Sequence, residues 1–170
     1  MAASKLNRFP PPQKGMIRAA PMAAIPDILK EFGIAPAPLL KKCGLPEDIF
    51  LYPDCTMPFA TVGRLLKACV RESGCAHFGL LVGQRASPSA LGAVGFLMKN
   101  SPDVATALNE FVINFDLHDR GATLFLKEED GSCLLVYEIY QHGIEAAEQI
   151  VDGAMAVGLN LMRSLCGPDW

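Results

Sequence analysis

Apolar residues recur at intervals of three and four positions through most of the first 115 residues, a spacing that places them on one face of an α-helix. Gly33, Gly44 and Gly74 each follow such a segment, where a left-handed residue commonly ends a helix. The longest of these stripes consists of Val62, Leu65, Leu66, Cys69 and Val70. The pattern predicts several short amphipathic helices.

A further helix is predicted after Asn100. Ser101 suits the N-cap, Pro102 suits the first helical position, and Asp103 favours the positive end of the helix. The apolar stripe that follows is Val104, Ala107, Leu108, Phe111 and Phe115. The same spacing predicts two shorter helices before it, at 77–84 and through 91–97, joined by the link "ASPS".

The periodicity changes after Gly121. Two segments rich in Leu, Val, Phe and Tyr flank Asp130-Gly131, the pair that a tight hairpin turn prefers, so residues 122–140 are predicted to form an antiparallel hairpin. A long helix is predicted over 144–166, closed by Gly167-Pro168. The fold class is therefore expected to be α+β, a mostly helical domain packed on a small antiparallel sheet.

Charge is distributed unevenly along the chain, whose net charge is −3. Residues 74–170 contain five basic and twelve acidic residues, a balance that would repel a phosphate backbone. Residues 1–16 are basic and contain three consecutive prolines, which favours an extended, flexible arm. We expect one domain over 17–170 that does not bind nucleic acid by itself.

The six cysteines form no C-x-x-C pair, and several lie on apolar faces, which favours a reducing compartment. The N-terminus lacks the apolar core of a signal peptide, and no run of eighteen uncharged apolar residues occurs. We therefore expect a soluble, cytoplasmic protein without a membrane partner.

Catalytic and metal-binding patterns are weak. The three histidines are far apart in sequence and lack metal-ligand spacing, so neither a metal nor a cofactor is expected. Cys75 and His77 are close in sequence, but residues two apart point to different faces of a helix. Gly92-Ala93-Val94-Gly95 lacks the preceding strand of a phosphate-binding turn, and close helix packing is the favoured interpretation. No catalytic residue is predicted.

Two sets of residues are candidates for binding. Aromatic residues with core-like spacing could line a ligand pocket, although packing in the core is their more common role. These are Phe96, Phe111, Phe115, Tyr137 and Tyr140. One face of the last predicted helix, with small residues at its centre, could contact a second copy or cover the sheet of its own domain. The candidate dimerisation residues are Val151, Ala154, Gly158, Leu161 and Leu165.

The order of three segments resembles a known family. "HFGLLVGQR" at 77–85, "LGAVGFLMKNSPDVATAL" at 91–108 and "LCGPDW" at 165–170 resemble the N-terminal, arabinose-binding-like domain of AraC/XylS-type transcriptional regulators. The likeness extends from about residue 17 to 170. In that family the N-terminal domain senses an effector or mediates dimerisation, and a C-terminal pair of helix-turn-helix motifs binds DNA.

The resemblance implies a regulatory domain of a bacterial transcription factor that controls transcription in response to a small molecule, with a homodimer as the expected assembly. It also implies that the DNA-binding helix-turn-helix domain lies outside this chain. It fixes no effector-contacting residue. A self-association module without a ligand is the main alternative, and a small thiol hydrolase is a further one.

Overall fold

The computed structural model describes residues 12–170, which contain seven α-helices and two small antiparallel sheets. The helices are α1 (Ile25–Glu31), α2 (Pro36–Lys42), α3 (Phe59–Ser73), α4 (Phe78–Arg85), α5 (Ala93–Lys99), α6 (Val104–Ile113) and α7 (Ala147–Cys166). The strands are β1 (Met16–Arg18), β2 (Thr56–Pro58), β3 (Ala122–Glu129) and β4 (Ser132–Ile139). This confirms the predicted α+β class.

The helices form where the apolar periodicity predicted them, and several of their boundaries differ from the predicted ones by one to three residues. The N-cap of α6 is Asp103 rather than Ser101, because the Asp103 carboxylate accepts a hydrogen bond of 2.7 Å from the backbone N–H of Thr106. Ser101 instead donates to the carbonyl of Leu97. The last helix, α7, begins at Ala147, three residues later than predicted, and Ala146 before it has a φ of 47°.

The predicted hairpin is present as β3 and β4. Glu129 pairs with Ser132, and Asp130 and Gly131 have φ values of 50° and 75°, as a type I′ turn requires. A second sheet was not predicted from the sequence. It consists of β1 and β2, in which Ile17 pairs with Met57, and each strand has only three residues, too few for a recognisable alternation.

The hydrophobic core lies between the helices and the inner face of the β3–β4 hairpin. Leu124 on β3 is 7% exposed, whereas Phe125 on the opposite face is 37% exposed, so one face of the hairpin covers the core. The largest fully buried side chains are Phe59, Phe78, Ile25, Ile28, Leu29, Leu40, Met57, Leu65, Met98, Leu161, Val62 and Val94.

The helices α4 and α7 cross with their backbones in contact. A Cβ atom added to Gly79 would lie 2.0 Å from the carbonyl oxygen of Gln149, and one added to Gly83 would lie 2.2 Å from that of Gly153. Neither position can hold a larger residue unless the helices separate. Glycine at 79 and 83 therefore sets the distance between α4 and α7.

Two amide side chains on α7 bind the ends of α4. At the N-terminal end, Gln149 accepts a hydrogen bond from Gly79 N and donates one to Ala76 O, at 2.9 and 2.8 Å. At the C-terminal end, Asn160 Nδ2 lies 3.0 Å from Gln84 O and 2.9 Å from Ala86 O. Backbone groups that a helix leaves unpaired at its ends are thus satisfied by α7.

The first eleven residues of the predicted basic arm lie outside the described residues. The last residue of that predicted segment, Met16, begins β1, and Gly15 N donates to Arg120 O at 2.8 Å. Among residues 12–170, no helix combines the length and the apolar composition that a bilayer crossing requires.

Candidate functional site

A cleft of about 220 Å³ opens beside β1 and the start of α5. It is lined by Arg18, Asp54, Gly92, Ala93, Phe96 and Leu117. Asp54 lies in the loop before β2, and Leu117 lies in the 3-10 segment after α6. The lining of the cleft therefore contains one cation and one carboxylate, and its other residues are apolar or glycine.

Arg18 is the central polar group of the cleft. The side chain is only 10% exposed, and its Nη2 donates to the backbone carbonyl of Pro53 at 3.0 Å and to Asp54 Oδ1 at 2.5 Å. Its Nε atom is buried and has no hydrogen-bond partner within the described residues. A buried guanidinium usually has most of its five donors satisfied, so this one has unused binding capacity.

Gly92 lies directly against the guanidinium. It has a φ of 63° and a ψ of −130°, a region that is essentially restricted to glycine. A Cβ atom at this position would lie 3.0 Å from Arg18 Nη2 and 3.1 Å from Arg18 Cζ. Gly92 thus permits the backbone before α5 to approach Arg18 closely. The close packing that the sequence predicted for this segment occurs at Gly95, where a Cβ atom would lie 2.2 Å from Pro88 O.

Two buried titratable groups follow in the neighbouring loop. Arg18 N donates to His118 O at 3.0 Å. Burial lowers the pKa of the His118 imidazole to about 3, and the charge of Arg18 acts in the same direction. Burial raises the pKa of Asp119 to about 6, although hydrogen bonds from Gly121 N and Tyr137 Oη oppose that shift. At neutral pH, His118 is uncharged and adds no second cation beside Arg18.

The five predicted ligand-binding aromatics occupy different surroundings. Phe111 and Phe115 are buried, with ring centroids 5.6 Å apart, and Phe115 lies 6.1 Å from Tyr137. Phe96 is 68% exposed and lines the cleft beside Arg18. Tyr140 is 44% exposed, and its hydroxyl donates to Arg120 O. Three of the residues therefore form an aromatic cluster, and Phe96 alone borders the cleft.

The sequence-based selection of site residues missed Arg18 and Asp54. Arg18 lies just after the basic segment 1–16, and Asp54 lies in a proline-punctuated loop, 36 residues further along the chain. One signal was available, since Arg18 is a lone charge in the otherwise uncharged segment "GMIRAAPMAAIP". A charged residue in such a segment is a candidate for burial with a partner.

The predicted dimerisation residues lie on α7 but differ in exposure. Leu161 is 2% exposed and belongs to the core of its own domain. Val151 is 37% exposed, whereas Ala154, Gly158 and Leu165 are partly buried. A Cβ atom added to Gly158 would meet nothing within 4 Å. Other large apolar side chains on the outer face are Met155, at 64% exposure, and Leu159, at 38%.

The candidate thiol pair is not arranged as a catalytic dyad. Cys75 is buried at 8% exposure, whereas His77, at the start of α4, is exposed. Burial also raises the pKa of Cys69 to about 12, so that thiol is protonated at neutral pH. Across residues 12–170, no group of three His, Cys, Asp or Glu side chains is placed to hold a metal ion.

Comparison with known proteins identifies the family. Residues 33–170 match the family described as the arabinose-binding domain of AraC transcription regulators, N-terminal. The HTH-type transcriptional regulator VirS from two strains of Mycobacterium tuberculosis, CDC 1551/Oshkosh and ATCC 25618/H37Rv, is 26% identical over 155 residues, which are 90% of this chain and 46% of the relative. The chain thus spans about half the length of these curated relatives. The chain belongs to the family of N-terminal regulatory domains of AraC-type transcription regulators.

Proposed function

We propose that this domain is the effector-sensing part of an AraC-type transcription factor and that the Arg18 cleft receives the effector. The observation that carries the proposal is a buried guanidinium whose residue lines the cleft and whose Nε has no hydrogen-bond partner within the described residues. Burying a charge without full pairing costs stability, and such groups concentrate at binding sites. The family is one of transcription regulators, which supports a regulatory rather than a catalytic role.

Binding would act through elements that meet at Arg18. The residue ends β1, contacts the loop before β2 through Asp54, and lies against Gly92 before α5. A ligand that changes the position of Arg18 therefore acts on three segments that are distant in sequence. The ligand would favour the domain conformation to which it binds more tightly, and the size of this shift is set by the difference between its affinities for the two conformations.

The proposed transcription factor would bind DNA through a separate helix-turn-helix domain, in the bacterial cytoplasm. This is supported by the curated relatives, which are helix-turn-helix regulators roughly twice as long as this chain. The acidic residues that dominate 74–170 support a domain that does not contact DNA directly.

Thermal shift measurements with a panel of neutral, cationic and anionic metabolites would test effector binding. We expect at least one compound to raise the melting temperature of the wild-type chain and to have no effect on Arg18→Met. The same compound should change the DNA affinity of a full-length regulator that carries this domain. Unchanged DNA affinity with every bound compound would contradict the sensor function.

A second candidate function is self-association through the outer face of α7. This face presents Val151, Met155 and Leu159, and an exposed apolar stripe along a helix is typical of an interface. Acidic residues lie toward the N-terminal end of α7 and Arg163 toward the C-terminal end. Two copies packed antiparallel would therefore bring opposite charges together, which supports an antiparallel homodimer over a parallel one.

Sedimentation velocity would test this assembly. We expect the wild-type chain to sediment as a dimer and Met155→Glu to shift it to the monomer, because a charge would be buried at the interface. Ile113→Glu is the matched control, since Ile113 is 75% exposed on α6, away from this face. A wild-type monomer, or equal dissociation in both variants, would contradict the proposal.

A further inference from the structure

We propose that the Arg18 cleft is specific for a small organic monoanion, a carboxylate with an apolar body, which binds by displacing Asp54 from the guanidinium. This inference rests on the proposed effector-sensing function and narrows it to one chemical class. It is carried by the hydrogen bonds of Arg18, by the exposure of Asp54 and by the lining of the cleft.

The hydrogen bonding of Arg18 is incomplete in a way that suits a carboxylate. Nη2 makes both of the guanidinium's hydrogen bonds within the described residues, to Pro53 O and to Asp54 Oδ1. Nε has no partner among them. A guanidinium can bind a carboxylate through two parallel N–H donors, an arrangement stronger than a single contact. Asp54 provides only the single contact.

Asp54 has the properties of a replaceable partner. Its side chain is 56% exposed, whereas that of Arg18 is 10% exposed. An exposed carboxylate that leaves Arg18 regains solvation, so releasing it costs little. The more deeply buried guanidinium regains less solvation, so an anion that takes the place of Asp54 is favoured over an empty site. Asp54 therefore competes with ligands for the Arg18 guanidinium, and a weakly binding ligand does not displace it.

The remaining lining sets the size and polarity of the ligand. Ala93, Phe96 and Leu117 provide the apolar side chains of the lining. The volume of about 220 Å³ corresponds to about seven water molecules at roughly 30 Å³ each, below the usual range for drug-sized ligands. A small organic acid with an aromatic or branched aliphatic body fits these limits.

The charge around Arg18 favours a carboxylate over a phosphate. Among the described residues that line the cleft, Arg18 is the only one with a cationic side chain, and His118 beside it is uncharged at neutral pH. A phosphate monoester carries close to two negative charges at pH 7 and is usually held by more than one cation. A single guanidinium balances one carboxylate.

Benzoate is a suitable probe because it has the proposed charge and shape, and benzamide and benzylamine have the same ring with neutral and positive groups. NMR titration of the labelled chain would measure their dissociation constants. We expect benzoate to shift the Arg18, Gly92 and Phe96 resonances with millimolar affinity, and neither other compound to do so. Phenyl phosphate should bind at least about fivefold more weakly than benzoate.

Two variants test the competition. Asp54→Asn should tighten benzoate binding by about fivefold, because it removes the internal anion. Arg18→Met should abolish the binding. The matched controls are Glu31→Gln and Arg85→Met, which break another carboxylate–guanidinium pair, held by two contacts of 2.7 Å outside the cleft. Both controls should leave the benzoate affinity unchanged. Since Asp54 is exposed, its variant folds even if Arg18→Met does not.

The outcomes separate this inference from the proposed function. If benzamide binds as tightly as benzoate, or if Asp54→Asn leaves the benzoate affinity unchanged or weaker, the anion specificity is overturned. The sensor function then stands if a neutral or cationic metabolite binds and changes DNA affinity. If benzoate binds as expected but no ligand changes the DNA affinity of the full-length regulator, the anion site stands and the sensor function fails.

Discussion

The α4–α7 contact and the Arg18 cleft satisfy their polar groups in opposite ways. In the first, Gln149 and Asn160 bind both ends of α4, and glycines allow backbone contact. In the second, the Nε of a buried guanidinium has no partner within the described residues, and an exposed carboxylate is its charged partner. The first region has a single arrangement fixed by its contacts. The second can exchange one partner for another.

This difference separates residues that maintain the fold from residues that can respond to a ligand. Moving α4 relative to α7 would expose backbone groups and open a cavity. Replacing Asp54 with another anion at Arg18 requires neither. A regulatory domain of this size therefore combines a rigid helical pair with a loosely satisfied binding group, and the following substitutions test that division.

The largest effect is expected at the glycines of α4. Gly83→Ala would place a Cβ atom 2.2 Å from Gly153 O, so the helices must separate. We expect the free energy of unfolding to fall by about 3 kcal/mol, measured by urea denaturation. Gly158→Ala on α7 is the control, since its Cβ meets nothing within 4 Å, and should raise stability by about 0.5–1 kcal/mol. Equal effects in both variants would show that the close approach is unimportant.

A smaller effect is expected from the buried titratable pair beside the cleft. His118 has a lowered pKa of about 3, so the unfolded chain binds the extra proton between pH 3 and 6.5 and acid destabilises the fold. Asp119 has a raised pKa of about 6, so the folded chain binds the extra proton between about pH 4 and 6 and acid stabilises the fold. The two contributions oppose each other, and wild-type stability should change little between pH 6.5 and 5.

Substitution should separate these contributions. Over the same fall in pH, His118→Leu should gain about 1 kcal/mol of stability, and Asp119→Asn should lose about as much. Urea denaturation at pH 6.5 and 5.0 measures both changes, with each variant compared with itself so that its packing cost cancels. Parallel pH dependence in the two variants would contradict the assigned pKa directions.

The smallest effect on stability is expected from Asp54→Asn. The carboxylate is more than half exposed, and exposed ion pairs typically contribute under about 1 kcal/mol. Thermal denaturation should therefore show a shift of only a few degrees, similar to that of Glu31→Gln at the exposed Arg85 pair. A loss as large as that of Gly83→Ala would mean that Asp54 belongs to the rigid part of the fold.

Most of the fold could be predicted from local sequence signals. The apolar stripe of α3, the Asp130-Gly131 turn and the closure of α7 at Gly167 each depend on residues close in sequence. The β1–β2 sheet could not be predicted, because three-residue strands carry no period and the pairing spans some 40 residues. The N-cap of α6 was misplaced because three adjacent residues all suited a helix start.

The cleft could not be predicted either, because the residues that form it are far apart in sequence. Arg18, Asp54 and Gly92 come from separate parts of the chain, and only the fold brings them together. The stripe predicted for dimerisation on α7 includes Leu161, which is buried, and omits Met155, which is exposed, because periodicity does not show which side of an apolar helix faces the core.

The β3–β4 hairpin has two outer edges that pair with no other strand in the described residues, and its outer face exposes Phe125 and Leu134. Such edges can recruit strands from other molecules and start aggregation. Glu128, Glu129 and Asp130 concentrate negative charge at the hairpin tip. Two hairpins that approached edge to edge in parallel would place these carboxylates together, so the acidic tip opposes this approach, and high salt would weaken that repulsion.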